Sequence, residues 1–200
     1  MQSDIEIYAN HMADVRTRIY LVRSLLAPEA AAVIPQFALI ETVLLQLRKA
    51  LELIAFASLT ANKDAYKDAY PTFADEWNAK RILQKVEQLN PDFYPMACEA
   101  PKEVAPGHKH FDRPADGFMT RDEFITLYQA ASEVLHTRNP FTTKGPVINT
   151  GYSVVEWVSR IQRLLSWHRV GLIGGSIWIV KVPDVGDVEA WPAGEKTDVL

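Results

Sequence analysis

One stretch of the chain concentrates reactive and ligand-binding side chains: Leu135-His136-Thr137-Arg138-Asn139-Pro140-Phe141. It brings an imidazole, a permanent cation and an amide into four consecutive positions, and a proline follows them. His136 has the reference pKa of a general base near neutrality, and Arg138 has the planar fork of donors that grips phosphate. Asn139 can orient either group. The same three residues also suit a helix end with no reaction attached, because exposed carbonyls attract cations and Asn before Pro is turn chemistry. The residues alone leave both readings open.

A second set sits upstream. Arg48 and Glu52 lie one helical turn apart inside an otherwise apolar segment, so they must pair or face a solvated groove. They form a structural ion pair, or Glu41 and Glu52 reach Arg138 and tie the two sets together. Arg48, Glu52 and Arg138 are the candidate binding residues, and His136, Arg138 and Asn139 are the candidate catalytic residues if the chain cleaves RNA. His108-Lys109-His110-Phe111-Asp112 offers two imidazoles and a carboxylate. No second Cys or His pair stands at zinc spacing, so no metal is assigned. Cys98 is the single cysteine and carries no local nucleophile signature. Gly-rich phosphate loops, dinucleotide fingerprints and Gly-x-Ser-x-Gly elbows are all missing, and no cofactor is expected.

The elements that must position these groups are read from apolar spacing. Tyr8, Met12, Val15, Ile19, Val22 and Leu26 alternate steps of four and three, the mark of one helix face. Phe37, Ile40, Leu44, Leu47, Leu51 and Ile54 mark a second helix, apolar on its flanks as well and therefore the expected spine of the fold. A third helix is expected near 75–89, with Asp75 or Thr72 as its cap. Thr120 and Glu123 have capping-box spacing for a fourth, ending at His136 because Pro140 disfavours helical Asn139. Ser153 caps a last helix that carries Trp157, Ile161, Leu164, Leu165 and His168 inward and closes at the glycines 171, 174 and 175. Segment 62–75 is polar and Tyr-rich and is broken by Pro71, and the proline-punctuated stretch of about 91–119 reads as a long surface excursion with little regular structure. Near 176–191 the spacing changes to alternation around Pro183-Asp184-Val185-Gly186, which predicts a β-hairpin. The expected architecture is mainly α: a bundle of four to five helices over about 4–171 with a C-terminal β-hairpin, in one domain of 200 residues.

The net charge of −4 gives no global basic field for nucleic acid or anionic lipid, although a local patch can still act. Glu41, Arg48, Lys49 and Glu52 interrupt the richest apolar run, which argues against a membrane span. The N-terminus opens acidic, without the pattern of a leader, and a cytoplasmic protein is expected.

A helical bundle with Arg48-x-x-x-Glu52 on a central helix and Arg138-Asn139 at a later helix end resembles the HEPN superfamily of all-α proteins. The resemblance spans roughly 4–169 in helix order. It implies a bacterial toxin–antitoxin or defence setting, dimerisation, and, in active members, metal-independent RNase activity from an Arg, often followed by Asn, with a His several residues downstream. Here Thr142, Thr143 and Lys144 occupy that downstream stretch, and His136 precedes Arg138 instead. The reading is therefore a non-catalytic interaction module with a protein partner or a second copy of itself. The alternative is an RNase using His136 and Arg138. A nucleotide-binding regulator, with Arg48 and Arg138 on phosphate, is the third.

Overall fold

The computed structural model describes residues 2–136, 141 and 151–194. The chain begins with α1 (Asp4–Leu25), opened by a reciprocal capping box between Ser3 and Glu6. The short α2 (Pro28–Val33) leads into α3 (Gln36–Ala61), the longest helix. α4 (Lys63–Ala69) and α5 (Ala79–Leu89) follow. A two-residue strand β1 (Met96–Ala97) precedes an arm of two antiparallel strands, β2 (Lys102–Ala105) and β3 (His108–His110). Then come α6 (Arg121–Leu135), α7 (Val154–Leu165) and the strands β4 (Trp167–Gly171), β5 (Ser176–Lys181) and β6 (Glu189–Gly194).

The apolar spacing of α1 works as read. Tyr8, Met12, Val15, Ile19 and Val22 are all buried against the rest of the core. α3 is the spine, with Leu44, Leu47, Leu51 and Ile54 buried, but its seam is not covered from the start. Phe37 remains 69% exposed and Ile40 42%. Thr120 and Ser153 cap α6 and α7 through their side chains, as their spacing demanded. Glu123, the reciprocal partner of Thr120, also accepts from Arg160 Nη2 at 2.6 Å and from Tyr152 at 3.1 Å, which locks the start of α6 to α7.

Several expectations need correction. The third helix starts at Ala79, capped by Asn78, whose side chain accepts from the Arg81 amide at 3.1 Å. Glu76 lies outside the helix instead, held by Lys85 at 2.8 Å. Segment 62–75 contains α4, which buries Tyr66 completely. The largest change is in the last third. α7 ends at Leu165, and Trp167–Gly171 is a strand rather than the end of a helix. The predicted hairpin is thus part of a four-stranded antiparallel sheet in the order β1-β4-β5-β6, so the fold is α plus β rather than a bundle with a hairpin. The positions of Leu164, Leu165, His168 and Val170 explain the ambiguity. Helical spacing carries the inner face as far as His168, and strand alternation carries it on to Val170. Pairing along five residues of β5 decides for the strand. The glycines 174 and 175, with φ of 95° and 84°, turn β4 into β5 rather than ending a helix.

The stretch 91–119 is likewise not structureless, because it supplies β1 and the arm. Cys98 N donates to Trp167 O at 2.7 Å, continuing the β1–β4 ladder by one residue.

A buried amide network joins the helices to the sheet at one end. Asn90 Nδ2 donates to Asn62 Oδ1 at 2.8 Å and to Gly171 O at 2.9 Å, while Asn62 Nδ2 donates to Ser58 O at 2.9 Å. Gly171 is required there, since a Cβ would stand 2.8 Å from Asp92 O and 2.9 Å from Asp92 Cβ. Asn90→Ala leaves two buried acceptors without their donor and is expected to destabilise the fold by about 1–3 kcal/mol. Gly171→Ala forces the backbone at Asp92 to move and is expected to cost a similar amount, roughly 1–3 kcal/mol. Urea denaturation at constant pH measures both, and unchanged midpoints would contradict this role for the network.

Candidate functional site

Arg48 and Glu52 form the predicted ion pair at 3.1 Å on the surface of α3, each side chain about one-fifth exposed. The Arg48 guanidinium also lies over the Tyr128 ring of α6, 5.4 Å from its centroid, a cation–π contact that fixes its direction. His136 stands exposed just beyond α6, with extended backbone at the helix end. It lies eight residues past Tyr128, about 12 Å along the axis at the rise of a helix. Arg138 and Asn139 fall outside the described residues, as do Pro140, Thr142, Thr143 and Lys144. Phe141 is 89% exposed. The structure thus brings Arg48, Glu52 and Tyr128 together.

His168 is the predicted residue whose surroundings differ most from expectation. It sits on β4, fully buried. Its Nδ1 faces the Leu165 carbonyl at 2.9 Å, and its Nε2 faces the Tyr8 hydroxyl at 2.9 Å. A carbonyl only accepts, so Nδ1 carries the proton and Nε2 accepts from Tyr8. The ring is therefore neutral with both nitrogens used. Burial pushes its pKa down to about 4, opposed only in part by the bond to Leu165. The same burial raises the Tyr8 phenol well above its ordinary range.

His108 and His110 are exposed on β3. Asp112 is bound by Lys102 at 2.6 Å and by His110 at 3.2 Å, and the Lys102 bond is the main reason its carboxyl lies below the usual range. Among the described residues, no cluster of three or more His, Cys, Asp or Glu side chains is arranged to hold a metal ion. No helix among them is long and apolar enough to cross a membrane.

Two surfaces escaped the sequence reading. The first is a groove of about 670 Å³ between the arm and the outer face of the sheet, the face turned away from the helices. Its walls carry Lys109, His110 and Arg113 from the arm and Arg169 from β4. Arg169 could not be placed while 167–171 was read as helix, and the arm could not be placed while 91–119 was read as irregular. Arg113 lies over the Phe118 ring at 5.9 Å, and Arg169 Nε is 3.0 Å from Met96 Sδ. Both guanidinium groups act on the Cys98 thiol. Burial still dominates there and pushes that thiol up, which makes it a poor nucleophile.

The second surface is the start of α3. Arg18 of α1 donates to Gln46 of α3 at 2.7 Å, which puts these two residues level in an antiparallel pair. Counting from there, α1 ends near the level of residue 39, and the first turn of α3 runs past it. Val33 and Phe37, 80% and 69% exposed, project from that uncovered end. Segment 28–40 holds a single charged residue, Glu29.

No protein-family model, curated protein or solved structure matches this chain.

Stability should register the buried imidazole. In the unfolded chain His168 titrates near its reference pKa of about 6.5, and in the folded chain near 4. Between these values the unfolded state binds more protons, so stability falls as pH drops through that window. The contribution is complete above the unfolded value, and the loss reaches on the order of 3 kcal/mol below the folded one. Melting temperatures followed across this range should show the decline, and His168→Leu should flatten it. An equal slope in that variant would assign the effect elsewhere.

Proposed function

We propose that the chain is a non-catalytic interaction module on a HEPN-like helical scaffold, and that its first partner is a second copy of itself. The observation that carries this reading is the uncovered start of α3, where the seam of the spine helix continues outward through Ile40 and Phe37. Two such ends can meet about a two-fold axis, each laying its apolar seam on the other. A stretch with one charge in thirteen residues suits an apolar contact of this kind and offers little to a charged partner.

The chemistry elsewhere supports binding over catalysis. Arg48 is engaged by Glu52 and Tyr128, which makes it a fixed cation. His168 is committed to two hydrogen bonds in the core. His136 remains the residue on which a metal-independent RNase would turn.

Sedimentation velocity at protein concentrations of about 10–50 μM should give a dimer for the native chain and a monomer for Phe37→Glu. That variant should unfold within about 0.5 kcal/mol of the parent, since it changes an exposed position. A native monomer would overturn the dimer reading. EDTA-resistant RNA cleavage that is lost in His136→Ala would overturn the non-catalytic reading and make the chain an RNase.

A further inference from the structure

We infer that β3 carries a binding site for a divalent transition-metal ion of the class that favours imidazole, Zn²⁺, Ni²⁺ or Cu²⁺, held by His108 Nε2 and His110 Nδ1. This site is separate from the α3 surface and does not depend on it.

The strand supplies an order that a loop would lack. In His108-Lys109-His110 the histidines alternate with a lysine, so strand geometry puts both imidazoles on one face and turns Lys109 to the other. Their Cα atoms are then about 7 Å apart, two rises of a strand. β2 holds β3 in that form through the pairs Lys102–His110, Glu103–Lys109 and Ala105–His108. All three residues of β3 are exposed, which leaves the face open to an ion and its water.

The hydrogen bonds select one nitrogen on each ring. His108 Nδ1 faces the Pro106 carbonyl at 3.1 Å, and His110 Nε2 faces an Asp112 carboxylate oxygen at 3.2 Å. Both oxygens only accept, so these nitrogens carry the protons of the neutral rings. The lone pairs then lie on His108 Nε2 and His110 Nδ1, and neither atom has a hydrogen-bond partner among the described residues. Metal-binding histidines are held in this way: a carbonyl or carboxylate on the far nitrogen fixes the tautomer and raises the basicity of the near one. Lys102, opposite His110, is the nearby cation that would oppose an ion. It is tied to the other Asp112 oxygen at 2.6 Å, which offsets its charge.

Among the described residues no third His, Cys, Asp or Glu donor is arranged with the pair, so water completes the shell. Hard ions such as Ca²⁺ and Mg²⁺ call for oxygen donors and gain little from two imidazoles.

The test titrates the intact chain with ZnCl₂ and NiCl₂ near neutral pH by calorimetry, and one site is expected for each, with no heat of binding from CaCl₂. His108→Ala and His110→Ala should each weaken binding by at least about tenfold, and Asp112→Ala, which removes no ligand, by about tenfold. These positions are exposed or half-exposed on the arm, so the helical circular dichroism should not change. Phe37→Glu and His11→Ala should bind as the parent does, which separates this site from the proposed dimer surface and from another histidine. With Zn²⁺ added, the long-range proton–nitrogen NMR spectrum should show His108 Nε2 and His110 Nδ1 shifted by the metal, with the other two ring nitrogens still protonated. Undiminished affinity in either histidine variant, or coordination through His108 Nδ1 or His110 Nε2, would overturn the assignment.

Discussion

The buried imidazole of His168 is the constraint on which the arrangement of helices and sheet depends. A neutral histidine in the core needs a donor on one nitrogen and an acceptor on the other, and leaving either unmet costs about 1–3 kcal/mol. Tyr8 of α1 supplies the donor, and the Leu165 carbonyl at the end of α7 supplies the acceptor. Both bonds are satisfied only if α7 stops where it does and β4 begins at once. The inner face of the sheet then lies on α1, with Trp178 set edge-on to the Tyr8 ring at 5.7 Å. Its outer face is left for the arm.

That arrangement divides the molecule's surfaces by chemistry. The start of α3 is apolar and nearly free of charge. The opposite character appears under the arm, where cations line an apolar floor. One surface follows from a spine helix longer than the α1 helix that covers it. The other follows from a sheet that, among the described residues, has helices on one side only. Neither requires a reaction, and both are products of the same packing.

Much of the helical part was legible in the sequence because its signals were local. The Thr120 and Ser153 caps and the Tyr8-to-Val22 seam follow from spacing within a turn or two, and tertiary packing reinforced them. The sheet was not legible in the same way. Whether 167–171 is helix or strand depends on its partner β5, and the inner positions of that stretch satisfy either period. The arm was hidden for a related reason. Prolines at 91, 95, 101 and 106 suggest irregular chain, yet they flank strands short enough to fit between them. The groove residues Arg113 and Arg169 are 56 positions apart, and no spacing rule connects them. The Arg48–Glu52 pair was legible because it is local; its contact with Tyr128 was not.

The most direct measurement of the central claim is the long-range proton–nitrogen NMR spectrum of the His168 ring. The account predicts a neutral ring protonated at Nδ1, held unchanged as pH is lowered from about 7 to 5. An imidazolium already formed at about pH 6, or the tautomer protonated at Nε2, would contradict the Tyr8–His168–Leu165 junction and the sheet placement built on it.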